Sequence, residues 1–177
     1  MRLEQIAEAV KDYDQVIKLE PGNVKAYLAR GYAHRVGKQP ELALQDYAKA
    51  LELEADNVEA YVGRGFIYQE LGEKEKSIEE YTKIIELKPD AMETSEAYYY
   101  RGMIYDERGQ TWKAIRDYER AIELKPDYVD AMVWLALVYE KVGDEAKALS
   151  VWRKAEVLET REEQKRFIQE HIANLEK

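Results

Sequence analysis

The sequence predicts an all-α protein, an α-α superhelix of about ten helices built from repeated helix hairpins. The first supporting observation is a residue pattern that recurs at intervals of 34 and 37 residues. The second is that apolar residues within each interval follow a helical period and do not alternate. The third is a composition of only four prolines and nine glycines in 177 residues, which leaves few interruptions to a helix.

The clearest repeated element is Arg-Gly followed by an aromatic residue or Met. It stands at Arg30-Gly31-Tyr32, Arg64-Gly65-Phe66 and Arg101-Gly102-Met103, with Leu135-Ala136-Leu137 as a degenerate fourth copy. An aromatic position and a closing leucine recur in the same register, at Tyr47, Tyr81, Tyr118 and Trp152 and at Leu53, Leu87, Leu124 and Leu158. A period of this length is typical of stacked supersecondary units.

Each repeat is predicted to contain two helices joined by a tight turn. In the second repeat, two apolar stripes flank Gly72, one of Tyr61, Gly65 and Tyr68 and one of Ile78, Tyr81 and Ile85. Gly109 and Gly143 mark the same turn in later repeats, and Gly37 stands one place early in the first.

Polar residues mark where the helices should begin. Asn23, Asn57 and Asp127 stand at predicted N-cap positions, where a side-chain oxygen can accept from an unpaired helix-start N–H group. Thr160 and Glu163 have the spacing of a capping box and predict one more helix at the C-terminal end.

This pattern resembles the tetratricopeptide repeat family, whose helix–turn–helix unit is also about 34 residues long. The sequence departs from the family pattern because Arg holds the Leu position in three units and Tyr or Trp holds the Phe position. The resemblance implies a single array over residues 1–177, with a half repeat at 1–22, full repeats at 24–57, 58–94, 95–128 and 129–160, and a capping helix at 161–177.

Composition and charge disfavour several classes of function. Lys and Arg total 27 against 36 Asp and Glu, a net charge of −9, which disfavours a nucleic-acid partner. The absence of cysteine excludes disulfides and thiolate metal sites, and no apolar run reaches membrane-spanning length. We therefore expect a cytoplasmic protein with no membrane insertion, no metal and no cofactor.

No constellation of catalytic residues is predicted, so we expect a protein that is not an enzyme. His34 occupies the position that Tyr68, Tyr105 and Tyr139 hold in other repeats, which indicates a core imidazole. His171 lies among acids of the last helix, which indicates a solvated side chain. The abundant carboxylates fall on predicted polar helix faces, and no cleft that would perturb them is evident.

The resemblance implies a protein-interaction scaffold, in which the first helices of successive repeats line a concave groove. In each first helix, the residues one position after those of the core stripe are also apolar. We call this second set the predicted peptide-binding floor: Leu28, Tyr32, Val62, Phe66, Tyr99, Met103, Val133 and Leu137. Mostly acidic residues surround it, so an apolar or apolar–basic helix or extended segment is the expected partner. The alternative is that these side chains pack between repeats or under the terminal helix near Ile168 and Ile172.

Two other interpretations concern partners. One subgroup of the family holds a chaperone's C-terminal carboxylate with Lys, Asn and Arg, but the matching positions here contain no basic residue: Leu28, Tyr32, Gly63, Glu96 and Tyr100. The alternative function is a structural module, or a fragment of a larger chain, that contacts itself or its own flanking domains. A homo-oligomer could then form through the N-terminal half repeat, whose first helix is missing.

The arginine that replaces the family's leucine predicts ion pairs within the repeats. Arg30, Arg64 and Arg101 are each followed 16 residues later by an acid, which is Asp46, Glu80 and Asp117 in turn. In the fourth repeat the two positions are Leu135 and Val151, so both become apolar together. This joint change indicates contact across each hairpin.

Overall fold

The computed structural model describes residues 3–177, except for the side chain of Leu3. This part of the chain contains ten α-helices, a short 3₁₀ helix at Met92–Thr94 and no strand. The helices are α1 (Leu3–Leu19), α2 (Val24–Val36), α3 (Pro40–Leu53), α4 (Val58–Glu70), α5 (Lys74–Leu87), α6 (Ser95–Glu107), α7 (Thr111–Leu124), α8 (Val129–Lys141), α9 (Glu145–Leu158) and α10 (Glu162–Leu175). The predicted fold class is confirmed.

The chain divides into two compact units, of which the first ends at Leu87 and the second begins at Lys88. In the first unit, α2 packs on α3 and α4 packs on α5 as antiparallel hairpins, with α1 against α2. In the second unit, α6 and α7 form one hairpin and α8 and α9 form the next, with α10 against α9. The closing leucines of the sequence pattern are the last residues of α3, α5, α7 and α9.

In three of the hairpins, an aromatic ring of the second helix lies against a glycine of the first. A methyl group added at Gly31 would lie 3.2 Å from the Tyr47 ring, and one added at Gly65 would lie 2.9 Å from the Tyr81 ring. Gly102 and Tyr118 repeat the contact at 3.0 Å. Because the ring occupies the space of a side chain, the first helices of these three hairpins need glycine there.

The turn inside each hairpin requires one residue in the left-handed region. Gly72, Gly109 and Gly143 supply it with φ of 75°, 68° and 78°. In the first hairpin Gly37 has a φ of −74°, and Lys38 takes the left-handed conformation with a φ of 60°. The displaced glycine of the sequence therefore leaves a lysine in the conformation that glycine favours.

Two of the predicted N-caps are confirmed. The Oδ1 atom of Asn23 accepts from the Ala26 N–H at 3.1 Å, and that of Asn57 accepts from the Ala60 N–H at 3.0 Å. The prediction for Asp127 is wrong, because Tyr128 is the N-cap residue of α8 and the N–H of Val129 donates to the Asp127 backbone carbonyl.

The prediction of a capping box at Thr160 is also wrong, although the helix that it predicted is present as α10. Arg161 is the N-cap residue of that helix and makes no side-chain capping bond. Instead, the Oε1 atom of Glu159 accepts from the N–H groups of Thr160 and Arg161 at 2.9 and 2.8 Å. The carboxylate that organises this turn belongs to the preceding residue.

Candidate functional site

In the first unit, the predicted floor residues differ in how much surface they present. Leu28 is 5% exposed and belongs to the core of this unit, whereas Tyr32 is 51% exposed. Val62 and Phe66 on α4 are half-buried, and the Phe66 ring meets the Tyr81 ring edge-on. Tyr32 and Phe66 therefore supply most of the accessible aromatic surface on this face.

Arg35 joins the two aromatic residues of this floor. Its guanidinium carbon lies 5.4 Å from the centroid of the Tyr32 ring and 5.6 Å from that of Phe66, within the range of cation–π contacts. Its Nη1 atom donates to Oε1 of Glu70 at 2.6 Å. This role of Arg35 was not predicted from the sequence, although its i+3 spacing from Tyr32 indicates such a contact.

In the second unit, two of the four floor residues are buried. Tyr99 is 9% exposed and Val133 is 7% exposed. The Tyr99 ring centroid lies 5.1 Å from those of Tyr100 and Tyr128, and burial raises the pKa of Tyr99 to about 12. The other two, Met103 and Leu137, are half-buried and pack against the same core.

Three of the eight predicted floor residues therefore present little surface, namely Leu28, Tyr99 and Val133. The alternative of internal packing describes these three, because neighbouring side chains of their own unit cover them. Ile168 of α10 is fully buried in the same core cluster as Val133, and Ile172 packs against that cluster. The more accessible members are Tyr32, Val62, Phe66, Met103 and Leu137.

Several of the acids near the floor are already paired. Besides Glu70 with Arg35, Asp106 accepts from Lys141 at 2.8 Å and Asp130 accepts from Arg161 at 3.0 Å. Glu59 and Glu96, in the first turns of α4 and α6, are exposed. The exposed charge in the first turns of these two helices is therefore negative.

The predicted ion pairs are present in all three hairpins. The Nε and Nη2 atoms of Arg30 donate to the two carboxylate oxygens of Asp46, with a shortest distance of 2.5 Å. Arg101 holds Asp117 in the same two-point manner. Arg64 contacts only Oε1 of Glu80, at 2.8 Å, and within the described residues Oε2 of Glu80 is buried without a hydrogen bond. Burial raises the pKa of Glu80 and the charge of Arg64 opposes the shift.

The two histidines have structural contacts. His34 is 8% exposed, with Nδ1 2.7 Å from Oε1 of Gln39, so the predicted core role is confirmed. The prediction that His171 is solvated is wrong. Its ring is half-buried and stacks on Trp152 at 4.8 Å, and its Nδ1 atom lies 2.9 Å from Oε1 of Glu140.

Between residues 3 and 177, no group of three potential ligands is placed to hold a metal ion. Over the same range, no helix combines the length and apolar composition that crossing a membrane requires.

The repeated hairpins, three of which are closed by an aromatic ring on a glycine, define a helical repeat protein. Sequence models of the tetratricopeptide repeat match residues 58–91, 95–128 and 117–150, and a model described as TPR repeat matches 37–72. The chain belongs to the tetratricopeptide repeat family. No curated protein matches the sequence.

Solved structures of repeat proteins resemble the chain over most of its length. The crystal structure of MamA is 30% identical, with a TM-score of 0.74 over 85% of this chain and 86% of that one. YrrB, described as a TPR protein with an unusual peptide-binding site, is 20% identical with a TM-score of 0.71 over 94% of this chain and 84% of that one. PilF of Pseudomonas aeruginosa is 14% identical, with a TM-score of 0.77 over 97% of this chain and 90% of that one.

The family and these neighbours support a protein-interaction scaffold as the general role. Proteins of the tetratricopeptide repeat family are typically non-catalytic.

Proposed function

We propose that the chain is a non-catalytic scaffold that binds an apolar or apolar–basic helix or extended segment of another protein on its first-helix faces. The observation that carries this proposal is the 51% exposure of Tyr32 beside the half-buried Val62 and Phe66. Met103 and Leu137 are the corresponding contacts in the second unit. The floor residues Leu28, Tyr99 and Val133 are buried and present little surface to a partner.

The charge of the surroundings specifies the partner further. Exposed Glu59 and Glu96 favour Lys or Arg in the bound segment, since complementary charges improve association and specificity. YrrB, which shares the fold, is described as having a peptide-binding site.

Each apolar anchor contributes about 1.5–3 kcal/mol to the binding free energy when fully buried. Because association and ordering offset much of this, we expect an affinity near micromolar.

The test uses peptides selected against the full-length chain from a random display library, with affinities measured by calorimetry. Tyr32→Ala and Phe66→Ala should weaken binding at least about tenfold and change the melting temperature little. Trp112→Ala is the matched control, because Trp112 is 71% exposed on α7 and lies outside the floor. Equal affinity in wild type and both floor variants would contradict the proposed site.

A second candidate function is self-association through α1, which forms the predicted half repeat. Val16 on this helix is 36% exposed, and Ala9 and Tyr13 are half-buried. Their counterparts 34 residues later, on α3, are almost fully buried at 0–3% exposure: Ala43, Tyr47 and Ala50. The hairpin partner α2 covers that face of α3, whereas the face of α1 lacks an equivalent cover among the described residues.

Light scattering over a wide concentration range tests self-association. The mass of the wild type should rise with concentration, and Val16→Lys should hold it at the monomer value. Leu53→Lys is the control, since Leu53 is similarly exposed, at 40%, on α3. A constant wild-type mass would exclude this function.

A further inference from the structure

The repeated arginine of the first repeat lies between two acids on two different helices. Arg30 on α2 donates to Asp14 of α1, 16 residues before it, at 2.5 Å. It also donates to Asp46 of α3, 16 residues after it. The guanidinium therefore fills the space between the second helices of successive repeats.

The fourth repeat has the three equivalent positions without the arginine. Leu135 replaces the arginine, and the residues 16 positions before and after it are Glu119 and Val151. One of the two acids is thus retained, while the arginine and the other acid are lost. All three residues line a cleft of about 360 Å³ formed by α7, α8 and α9.

We propose that this cleft is a binding site for an alkylguanidinium group, such as the side chain of an arginine. Ile122, Met132, Leu135 and Val151 would contact the aliphatic stem, and the carboxylate of Glu119 would accept from the guanidinium. Glu123 also lines the cleft, but its carboxylate already accepts from Arg120 at 2.8 Å. None of the residues that line the cleft belongs to the proposed peptide-binding floor, so this is a separate site.

The other polar groups of the cleft are consistent with this ligand. The hydroxyl of Tyr139 donates to Oε1 of Glu119 at 2.6 Å and so positions the carboxylate. Lys147 also lines the cleft, but its charge is matched by Asp144 at 3.0 Å, and its ammonium lies 5.2 Å from the centroid of the Tyr139 ring. Lys154 lies on the α9 side, and an alkyl carboxylate held by the two lysines is therefore the competing ligand chemistry.

The experiment titrates the full-length chain with N-butylguanidinium and with pentanoate, and follows the methyl resonances of Leu135 and Val151 by NMR. We expect the guanidinium to bind at least about tenfold more tightly than the carboxylate. N-acetylarginine amide forms a third arm. Its binding would indicate an arginine of a protein partner, whereas binding of the free guanidinium alone would indicate a small molecule.

Three variants control the assignment. Glu119→Gln should weaken guanidinium binding without changing the melting temperature, because Glu119 is exposed. Leu135→Arg should abolish binding by filling the cleft with the chain's own guanidinium. Arg30→Ala is the positive control, since it opens the equivalent space between Asp14 and Asp46 and should create a second guanidinium site.

Two results would overturn the proposal. The first is pentanoate binding that equals or exceeds that of N-butylguanidinium, and the second is unchanged guanidinium affinity in Glu119→Gln. If Leu135→Arg does not fold, the titration of wild type and Glu119→Gln decides the question without it.

Discussion

Arg101 and Asp117 face each other across the α6–α7 hairpin and form a two-point ion pair. Nε of Arg101 lies 2.7 Å from Oδ2 of Asp117, and Nη2 lies 2.8 Å from Oδ1. The two side chains are only 14% and 5% exposed. Burial raises the pKa of Asp117, and the hydrogen bond from Arg101 opposes that shift. In the α8–α9 hairpin, Leu135 and Val151 occupy the same two positions in an apolar core.

The double replacement of this pair should cost less stability than the loss of its acid alone. Asp117→Val should lower the free energy of unfolding by about 3–5 kcal/mol, because it removes the carboxylate that compensates the charge of a largely buried guanidinium. Arg101→Leu combined with Asp117→Val should recover most of this loss, since it reproduces the pair of the fourth repeat. Urea denaturation of the wild type, both single variants and the double variant measures the coupling.

Glu86→Ala is the control for this cycle. Glu86 pairs with Lys83 on the surface, where both side chains are 58% exposed, and its loss should change the stability little. Additive effects of the Arg101 and Asp117 changes would show that the observed contact contributes no coupling energy.

Lys38→Gly should stabilise the first unit by about 1 kcal/mol, because it removes the cost of a left-handed lysine. The φ of 60° at this residue corresponds to those of 68–78° at the three turn glycines. Gly72→Ala is the reciprocal control and should destabilise by a similar amount, although a Cβ there would meet nothing within 4 Å. Thermal or urea unfolding measures both, and an unchanged or lower stability of Lys38→Gly would refute the explanation.

Gly63→Ala should destabilise the protein even though Gly63 lies inside α4. Helix propensity alone predicts a gain of about 1 kcal/mol for alanine in a helix interior. A Cβ at this position, however, would overlap the buried ring of Tyr47, and forced overpacking costs about 1–3 kcal/mol. Gly22→Ala, which meets nothing within 4 Å, should be close to neutral. Higher stability of Gly63→Ala would show that the Tyr47 ring can move away from the added methyl group at little energetic cost.

Glu159 should contribute to the loss of stability in acid. The hydrogen bonds from Arg161 lower the pKa of Glu159 to about 2, from an ordinary value of 4.5. A lowered pKa in the folded state contributes stability above pH 4.5 that is lost as the pH falls towards about 2. Glu159→Gln should therefore show a shallower decline of the unfolding free energy over this interval. A decline as steep as that of the wild type would contradict the assignment.

Glu80 should have the opposite effect on the pH dependence. Because burial raises its pKa above the ordinary 4.5, the folded state holds the proton more tightly than the unfolded state. Its contribution to stability is complete below pH 4.5 and is lost as the pH rises through the raised value. Glu80→Gln should remove this decline, and unfolding free energies measured from pH 4 to 7 test it. Parallel curves for variant and wild type would contradict the expectation.

The repeat architecture and the contacts within each hairpin were predictable from the sequence. The closing leucines predicted the ends of α3, α5, α7 and α9. A helical pattern of apolar residues extends only as far as the helix face that is buried, so its last member marks the end of the helix. The pairing of Arg101 with Asp117 was predictable because its counterparts Leu135 and Val151 change character together. Such correlated positions identify residues that meet in every copy of one local unit.

Which residue takes the left-handed conformation in the first hairpin turn could not be predicted from the sequence. The sequence showed Gly37 one place early, but only the backbone showed that Lys38 takes the left-handed conformation. At the start of α10, the local pattern suggested a Thr160 cap, whereas the Glu159 carboxylate accepts those N–H groups in the folded turn.

The accessibility of the floor residues was also decided by the tertiary structure. Leu28 and Val62 hold the same repeat position, yet the first is buried and the second is half-buried. The sequence determined which face of each first helix is apolar, because that depends only on helical spacing. Which of those side chains remain accessible to a partner was decided by tertiary packing, since the size and placement of the neighbouring side chains set how much of each residue is covered.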